Sequence, residues 1–333
     1  MIVTRILVIA GLVCAAAAQA PIIGDINFYG LHKISAEHIL GALKIRTGDP
    51  IPPSKGDLEE ALDRISSVAE GRVEAVCCEG PRAALFIGIE ERGVPHTAFH
   101  SEPTGNAALP QELRDSYQEF VSAVARAAMR GETAEDLTAG HPMMSDAAAR
   151  AYVPRFVAFA GSHLSELRDV LRNSAEADQR AVAAAAIDYA PNKKEIVGDL
   201  QYAVQDPDEA VRANAIRSLT AIAVLANQQP RLAIRVEPTW FIELLNSIVL
   251  SDRMESVKAL LTLTDHGDKA VLAEVRERAL PALVEMARWK TPRYALPPFL
   301  LLGRVAGLAD DQILKNWQNA DLETVIGKAT RKR

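Results

Sequence analysis

Little in this chain is aromatic, and it carries no excess of positive charge. Phe, Trp and Tyr make up 5% of its 333 residues. That leaves no interleaved aromatic platform on which bases could stack. The formal net charge is −6, which argues against binding DNA or anionic lipid through bulk charge. Motifs of hydrolases, kinases, phosphate-binding loops and zinc proteases are absent, so no reaction can be named. No Asn-x-Ser/Thr acceptor occurs, which fits a bacterial export route. What is abundant is apolar and small: 49% hydrophobic residues against 24% charged, with much alanine. This is a globular composition suited to closely packed helices, and the length suffices for roughly two domains.

Met1–Ala20 reads as a secretory signal peptide rather than part of the fold. Arg5 gives a positive start, and Ile6 to Ala18 is an apolar run too short for a comfortable membrane span. Ala18-Gln19-Ala20 is a small-x-small cleavage site followed by Pro21. The expected location is therefore exported, in the periplasm; an uncleaved anchor is the alternative. Cys14 raises a lipoprotein reading, which Val13 opposes by standing where a small residue is wanted. Cleavage would remove Arg5 and leave a charge of about −7.

The stretch Val204–Ala223, VQDPDEAVRANAIRSLTAIA, organises the rest. Asp206-Pro207-Asp208 is a turn and helix start. Val211, Ala215, Ile216, Leu219, Ile222 and Ala223 then form one stripe at helical period. Arg212 projects toward that stripe and needs a carboxylate partner, for which Asp206 or Asp208 of a neighbouring copy is the candidate. Weaker copies lie on both sides: Arg180 and Glu176 at an earlier offset, and Asp252, Val257 and Lys258 at a later one. Such spacing points to stacked helical hairpins, against the alternative of an irregular bundle. The stretch resembles a HEAT or HEAT-like repeat, whose second helix opens Asp-Pro-x-x-x-Val-Arg, here Asp206, Pro207, Val211 and Arg212. In that arrangement Arg180, Arg212 and Lys258 form an inter-repeat ladder with Asp206 and Asp208.

Residues 21–93 read as a small α/β domain. Ile22–Tyr29 alternates as a strand and Gly30 breaks it. Ser35 caps a helix carrying Ile39, Leu40 and Leu43. Gly48-Asp49-Pro50 is a turn, and Ser54–Ala69 is a second helix ended by Gly71. Val73–Cys78 and Ala83–Glu90 are strands joined by a hairpin at Glu79-Gly80-Pro81-Arg82. The order βααββ, with Ile26, Gly30, Ile34, Ser35, Gly48-Asp49, Ile87, Ile89, Glu90 and Arg92 at the matching places, resembles a POTRA domain; another two-layer α/β domain is the alternative. The resemblance covers about a fifth of the chain. It implies an exposed sheet edge that binds partners by strand addition, here the second strand: Val73, Glu74, Ala75, Val76, Cys77 and Cys78. No series of barrel strands follows, so the chain is not itself a pore.

Residues 94–109 read as a linker, and 110–333 as an all-α helical-repeat domain. Trp240, Phe241, Leu244, Leu245, Ile248 and Val249 form its strongest stripe, Pro281 is an expected kink, and Pro297 and Pro298 are expected to interrupt the helix around them. Cys77 and Cys78 are adjacent on a strand and point to opposite faces, which disfavours a shared metal or a ring between them. One faces the core and the other outside, or they pair between molecules. His96, His100 and Glu102 have a spacing seen in zinc ligands but lie in a Pro-containing linker. His141, in the Gly140–Pro142 turn, reads as a turn histidine that could line a site between helices. No metal, cofactor or catalytic residue is expected. The expected function is an exported, non-catalytic protein-interaction scaffold of the cell envelope, in protein assembly or division, with no nucleic-acid partner. The competing expectation is an enzyme or ligand-binding protein with a pocket between the helical domain and the linker.

Overall fold

The structure, a computed structural model, describes residues 21–331. The expected signal peptide lies outside the described residues. Among the described residues, no helix is long and apolar enough to cross a membrane.

The N-terminal region is a three-stranded sheet with two helices on one face. Strand β1 (Ile22–Tyr29) is followed by α1 (Ala36–Leu43) and α2 (Lys55–Asp63), then β2 (Val68–Glu79) and β3 (Arg82–Glu91). Ser35 and Ser54 cap the two helices by accepting from the His38 and Asp57 amides, as short hydroxyl side chains do at helix starts. The strand order is β1-β3-β2, with β1 parallel and β2 antiparallel to β3.

The second helix is shorter than the sequence suggests, and β2 is longer. The helix stops at Asp63, a turn intervenes, and Val68 is a buried strand residue rather than a helical one. Gly71 does not end a helix. It sits inside β2 under α2, where a Cβ would lie 2.4 Å from the Leu62 Cβ. The missing side chain is what lets helix and strand approach.

After residues 94–110 the chain is helical: α3 (Gln111–Met129), α4 (Ala147–Arg150), α5 (Val153–Ser162), α6 (Leu164–Asn173), α7 (Ala177–Ile187), α8 (Lys193–Ala203), α9 (Glu209–Gln228), α10 (Thr239–Leu244), α11 (Leu250–Leu263), α12 (Lys269–Ala287), α13 (Pro292–Val305), α14 (Asp310–Gln318) and α15 (Leu322–Thr330). A two-strand hairpin, β4 (Glu135–Asp136) and β5 (Met143–Met144), lies between α3 and α4. Helix α7 packs on α9, α9 on α11 and α11 on α13, while α8, α10 and α12 pack against α9, α11 and α13 in turn. The 240–249 stripe is not one helix: α10 ends at Leu244, and Ile248 and Val249 belong to the turn before α11. Pro297 and Pro298 do not interrupt α13, which runs through them.

Two apolar cores result. One lies between the sheet and α1–α2, with Ile26, Ile39, Leu62, Leu85 and Ile87. The other starts on the opposite sheet face, at Tyr29, Ala84 and Phe86, and continues through the helices. The sheet is therefore covered on both sides. A bulge between Ile23 and Asp25 in β1 resets the alternation, so that Ile26 and Phe28 face α1–α2 while Asn27 and Tyr29 face the helical stack.

Candidate functional site

Docking of the sheet on the stack is polar as well as apolar. The Asn27 amide donates to the Thr291 hydroxyl at 3.0 Å and accepts from the Lys290 N–H at 2.7 Å. The Gly30 N–H donates to the Glu285 carboxylate at 3.0 Å, and the Trp289 indole to the Phe28 carbonyl at 3.1 Å. Arg253, buried, pairs with Glu285 at 3.1 Å and lies over the Tyr29 ring. The strap 94–110 continues along the same side of the stack. Its His100 N–H donates to the Gln205 carbonyl at 2.8 Å, and its Gly105 carbonyl accepts from the Ala175 N–H at 2.8 Å. The N-terminal third thus runs back along the turns that precede α7, α9, α11 and α13.

Those turns carry the charge ladder. The Arg180 guanidinium forks onto Asp206 at 2.8 and 2.9 Å. Arg212 forks onto Asp252 at 2.8–3.1 Å, donates to the Asp206 and Pro207 carbonyls, and lies 4.0 Å from the Phe99 ring centre. All four side chains are buried. Three sequence assignments need correction. Asp208 is not a rung: it caps α9 by accepting from the Ala210 and Val211 amides. Lys258 is exposed and pairs with Glu255 of its own helix; and the partner of Arg212 is Asp252 of the following hairpin, not Asp206 or Asp208. A long, exposed lysine pairs locally because nothing desolvates it.

Strand β2 is an edge of the sheet, and Val73, Glu74, Ala75, Val76, Cys77 and Cys78 lie along it. Part of this edge is closed. The Gly71 and Val73 amides donate to Asp63 and Glu59 of α2 at 3.0 and 2.9 Å, and Lys55 bridges Glu59 and Glu74. Side chains thus take the place of a partner strand over the first half. Antiparallel alternation turns the Ala75 N–H to the same outward side as that of Val73, beyond the reach of these carboxylates. Ala75 and Cys77 are exposed. Cys77 is disulfide-bonded, and its carbonyl accepts from Arg293 at 2.9 Å. The side chain of Cys78 lies outside the described ones.

A cleft of about 970 Å³ opens between the sheet domain, the strap and α10–α12, with His32, Glu37, His96, Arg278 and Glu285 on its walls. His96 stands 3.8 Å from Glu90. His100 instead packs on the Tyr202 ring, and His141 lies 3.2 Å from Lys193; neither lines the cleft. Glu102 is exposed. Among the described residues, no group of three His, Cys, Asp or Glu is placed to hold a metal ion.

Several buried charged groups, Glu91, Asp188 and Arg253 among them, carry no signal in the sequence. Asp188, at the end of α7, is fully buried, as is much of Lys193, the first residue of α8. An aspartate in a Tyr-Ala-Pro context reads as a turn residue, and no sequence pattern marks it as buried. No protein-family model matches the chain, and no curated protein matches it significantly.

Proposed function

We propose that the protein is an exported, non-catalytic interaction scaffold that takes an extended segment of a partner along the open half of β2. The observation that carries this reading is the division of the edge. Carboxylates of α2 satisfy the outward amides of Gly71 and Val73 and Arg293 takes the Cys77 carbonyl, which leaves the outward groups of Ala75 between them for pairing. An unprotected edge is otherwise a liability that folds suppress, and main-chain pairing at such an edge needs no side-chain signature. A POTRA-like sheet domain docked on a HEAT-like helical solenoid accounts for the βααββ order and for the buried Arg–Asp rungs. Work in envelope protein assembly or division follows by analogy of fold.

The test is Ala75→Pro. Proline removes the outward donor and leaves the β2–β3 ladder intact. Wild-type chain should retain a discrete partner from an envelope extract, and the proline variant, with an unchanged melting midpoint, should lose it. Retention of the same partner by the variant would overturn the edge reading. A second reading, ligand binding in the interdomain cleft, is favoured by His96, which lines it; His96→Ala should then weaken retention of a small molecule and leave protein capture unaffected.

A further inference from the structure

Cys77, exposed on the edge strand β2, is disulfide-bonded. The chain holds three cysteines, and the other two are Cys14 and Cys78. Cys14 belongs to the segment that export would remove, which leaves Cys78, the next residue, as the candidate partner. Regular alternation turns neighbouring side chains to opposite faces, but β2 is not regular here. Val76 pairs with Ala84 and Glu79 with Arg82, so three steps along β2 match two along β3. One extra residue is taken up at 77–78, and such a bulge re-aims side chains. The bulge removes the geometric objection to a bond between neighbours.

A bond of this kind is not a staple. A disulfide stabilises a fold mainly by closing a loop of the unfolded chain, more for longer loops. A ring between neighbours closes no loop and adds almost nothing to stability. Adjacent Cα atoms are at most about 3.8 Å apart, closer than the roughly 4.4–6.8 Å usual in disulfides, and a bond so confined is more easily reduced. Exposed and confined disulfides are the labile ones, open to exchange. The surroundings suit an incoming thiolate. Arg293, at the start of α13, donates to the Cys77 carbonyl at 2.9 Å. With Arg82 it lines a recess of about 190 Å³ beside Val76, which Asp25 and Thr291 also border. Two guanidinium groups against one carboxylate draw an anionic sulfur toward this end of the strand.

We propose that Cys77 and Cys78 form a vicinal disulfide that serves as a thiol–disulfide exchange site, with a dithiol as its reductant. One thiolate of the dithiol attacks the Cys77 sulfur. The Cys77–Cys78 bond breaks, and Cys78 leaves as a thiolate and takes up a proton. The second thiolate of the dithiol then attacks its own partner sulfur in the mixed disulfide and releases Cys77, which is protonated in turn. Two electrons and two protons pass to the protein, and the dithiol departs as a disulfide. The site rests on the export reading, which supplies an oxidising compartment and removes Cys14, and not on strand pairing at the edge.

Peptide mapping tests the bond. The full protein is isolated with free thiols trapped by iodoacetamide and digested with trypsin without reductant. The peptide 73–82 should appear unalkylated and lighter by two hydrogens than after reduction. Alkylation of this peptide, or a cross-link from it to the Cys14 peptide or to a second chain, would overturn the proposal. The N-terminal peptide reports on export separately: a ring in a chain that still carries Cys14 supports the exchange site and counts against removal of the signal segment.

Dithiothreitol tests the chemistry. Both thiols should appear as fast in native buffer as in urea, and the melting midpoint should not shift on reduction. Phenylarsine oxide, which bridges two close thiols, should bind the reduced wild type and not Cys78→Ser. Slow reduction in buffer, a midpoint that falls on reduction, or phenylarsine oxide behaving alike toward both proteins would overturn the exchange site.

Discussion

Arg212 and Asp252 make the largest single commitment at the scale of one residue. Both are essentially out of solvent, at 2% and 0% side-chain exposure, and every polar atom of the guanidinium has a partner on the 206–207 turn or on Asp252. Removing one member strands a charge in the core. Arg212→Ala should lower stability by about 3–5 kcal/mol, whereas Arg212→Met with Asp252→Leu should cost far less. Urea unfolding of the three proteins decides it, and equal losses would show that the pair is not an isolated charge balance. Glu91 is a second such residue. Its carboxylate, buried at the end of β3, accepts from the amides of His32, Lys33 and Ile34 at 2.7–3.0 Å. Burial alone would raise its pKa, but these bonds outweigh it, and the pKa lies below the ordinary value. A depressed native pKa gives stability that is present above the unfolded-state value of about 4.3 and lost as pH falls through the native one. Glu91→Gln should therefore be less stable near neutrality and should lose less between about pH 5 and 3 than the wild type does. Parallel acid slopes in denaturation midpoints would place the acid-labile group elsewhere.

At the scale of the element, β2 shows how helix α2 regulates an edge. Glu59 and Asp63 project from the face of α2 that lies over the strand and satisfy amides that would otherwise invite another chain. Glu59→Ala frees the Val73 amide and lengthens the open edge. The variant should self-associate at concentrations where the wild type stays as it is, seen as a rise in sedimentation coefficient. An unchanged coefficient would mean that the edge is shielded by something other than α2. The capping carboxylates were not legible in the sequence, because Glu59 and Asp63 look like any exposed helical acids until the helix is laid across the strand. The caps Ser35 and Ser54 were legible, since a cap acts within three residues. So was the apolar stripe of α9, whose period is local. The partner of Arg212 was not: an internal repeat predicts that a carboxylate is needed, but the lengthened 229–237 connection decides which hairpin brings it. The β1 alternation holds from Ile26 to Tyr29, and only Ile23, before the bulge, lies on the other face than simple alternation gives it.

At the scale of the whole molecule, the tightest approach between the sheet and the stack is at Gly88. Gly88 in β3 faces the turn before α11, where a Cβ would lie 2.5 Å from the Ile248 carbonyl oxygen and as close to the Tyr29 ring. Trp289 wedges against Tyr29 and Phe86 at ring separations of 5.7 and 5.1 Å. Gly88→Ala pushes a methyl into the contact, at about 1–3 kcal/mol, and Trp289→Ala empties it, at about 3–5 kcal/mol. Neither touches the core between the sheet and α1–α2. Both should therefore loosen the docking rather than unfold the sheet, and loosening should expose the strap, whose His100 and Gly105 bonds to the turns depend on the same alignment. Limited proteolysis is the direct readout. In both variants cutting should begin within residues 94–109 and release a helical fragment, while the far-ultraviolet helical signal stays near the wild-type level. If the two variants instead melt as a whole with no early cut in the strap, the sheet and the stack form a single cooperative unit. The Tyr29–Arg253–Glu285 cluster, with Tyr29 and Arg253 buried and Glu285 at the cleft wall, would then be the element that couples them.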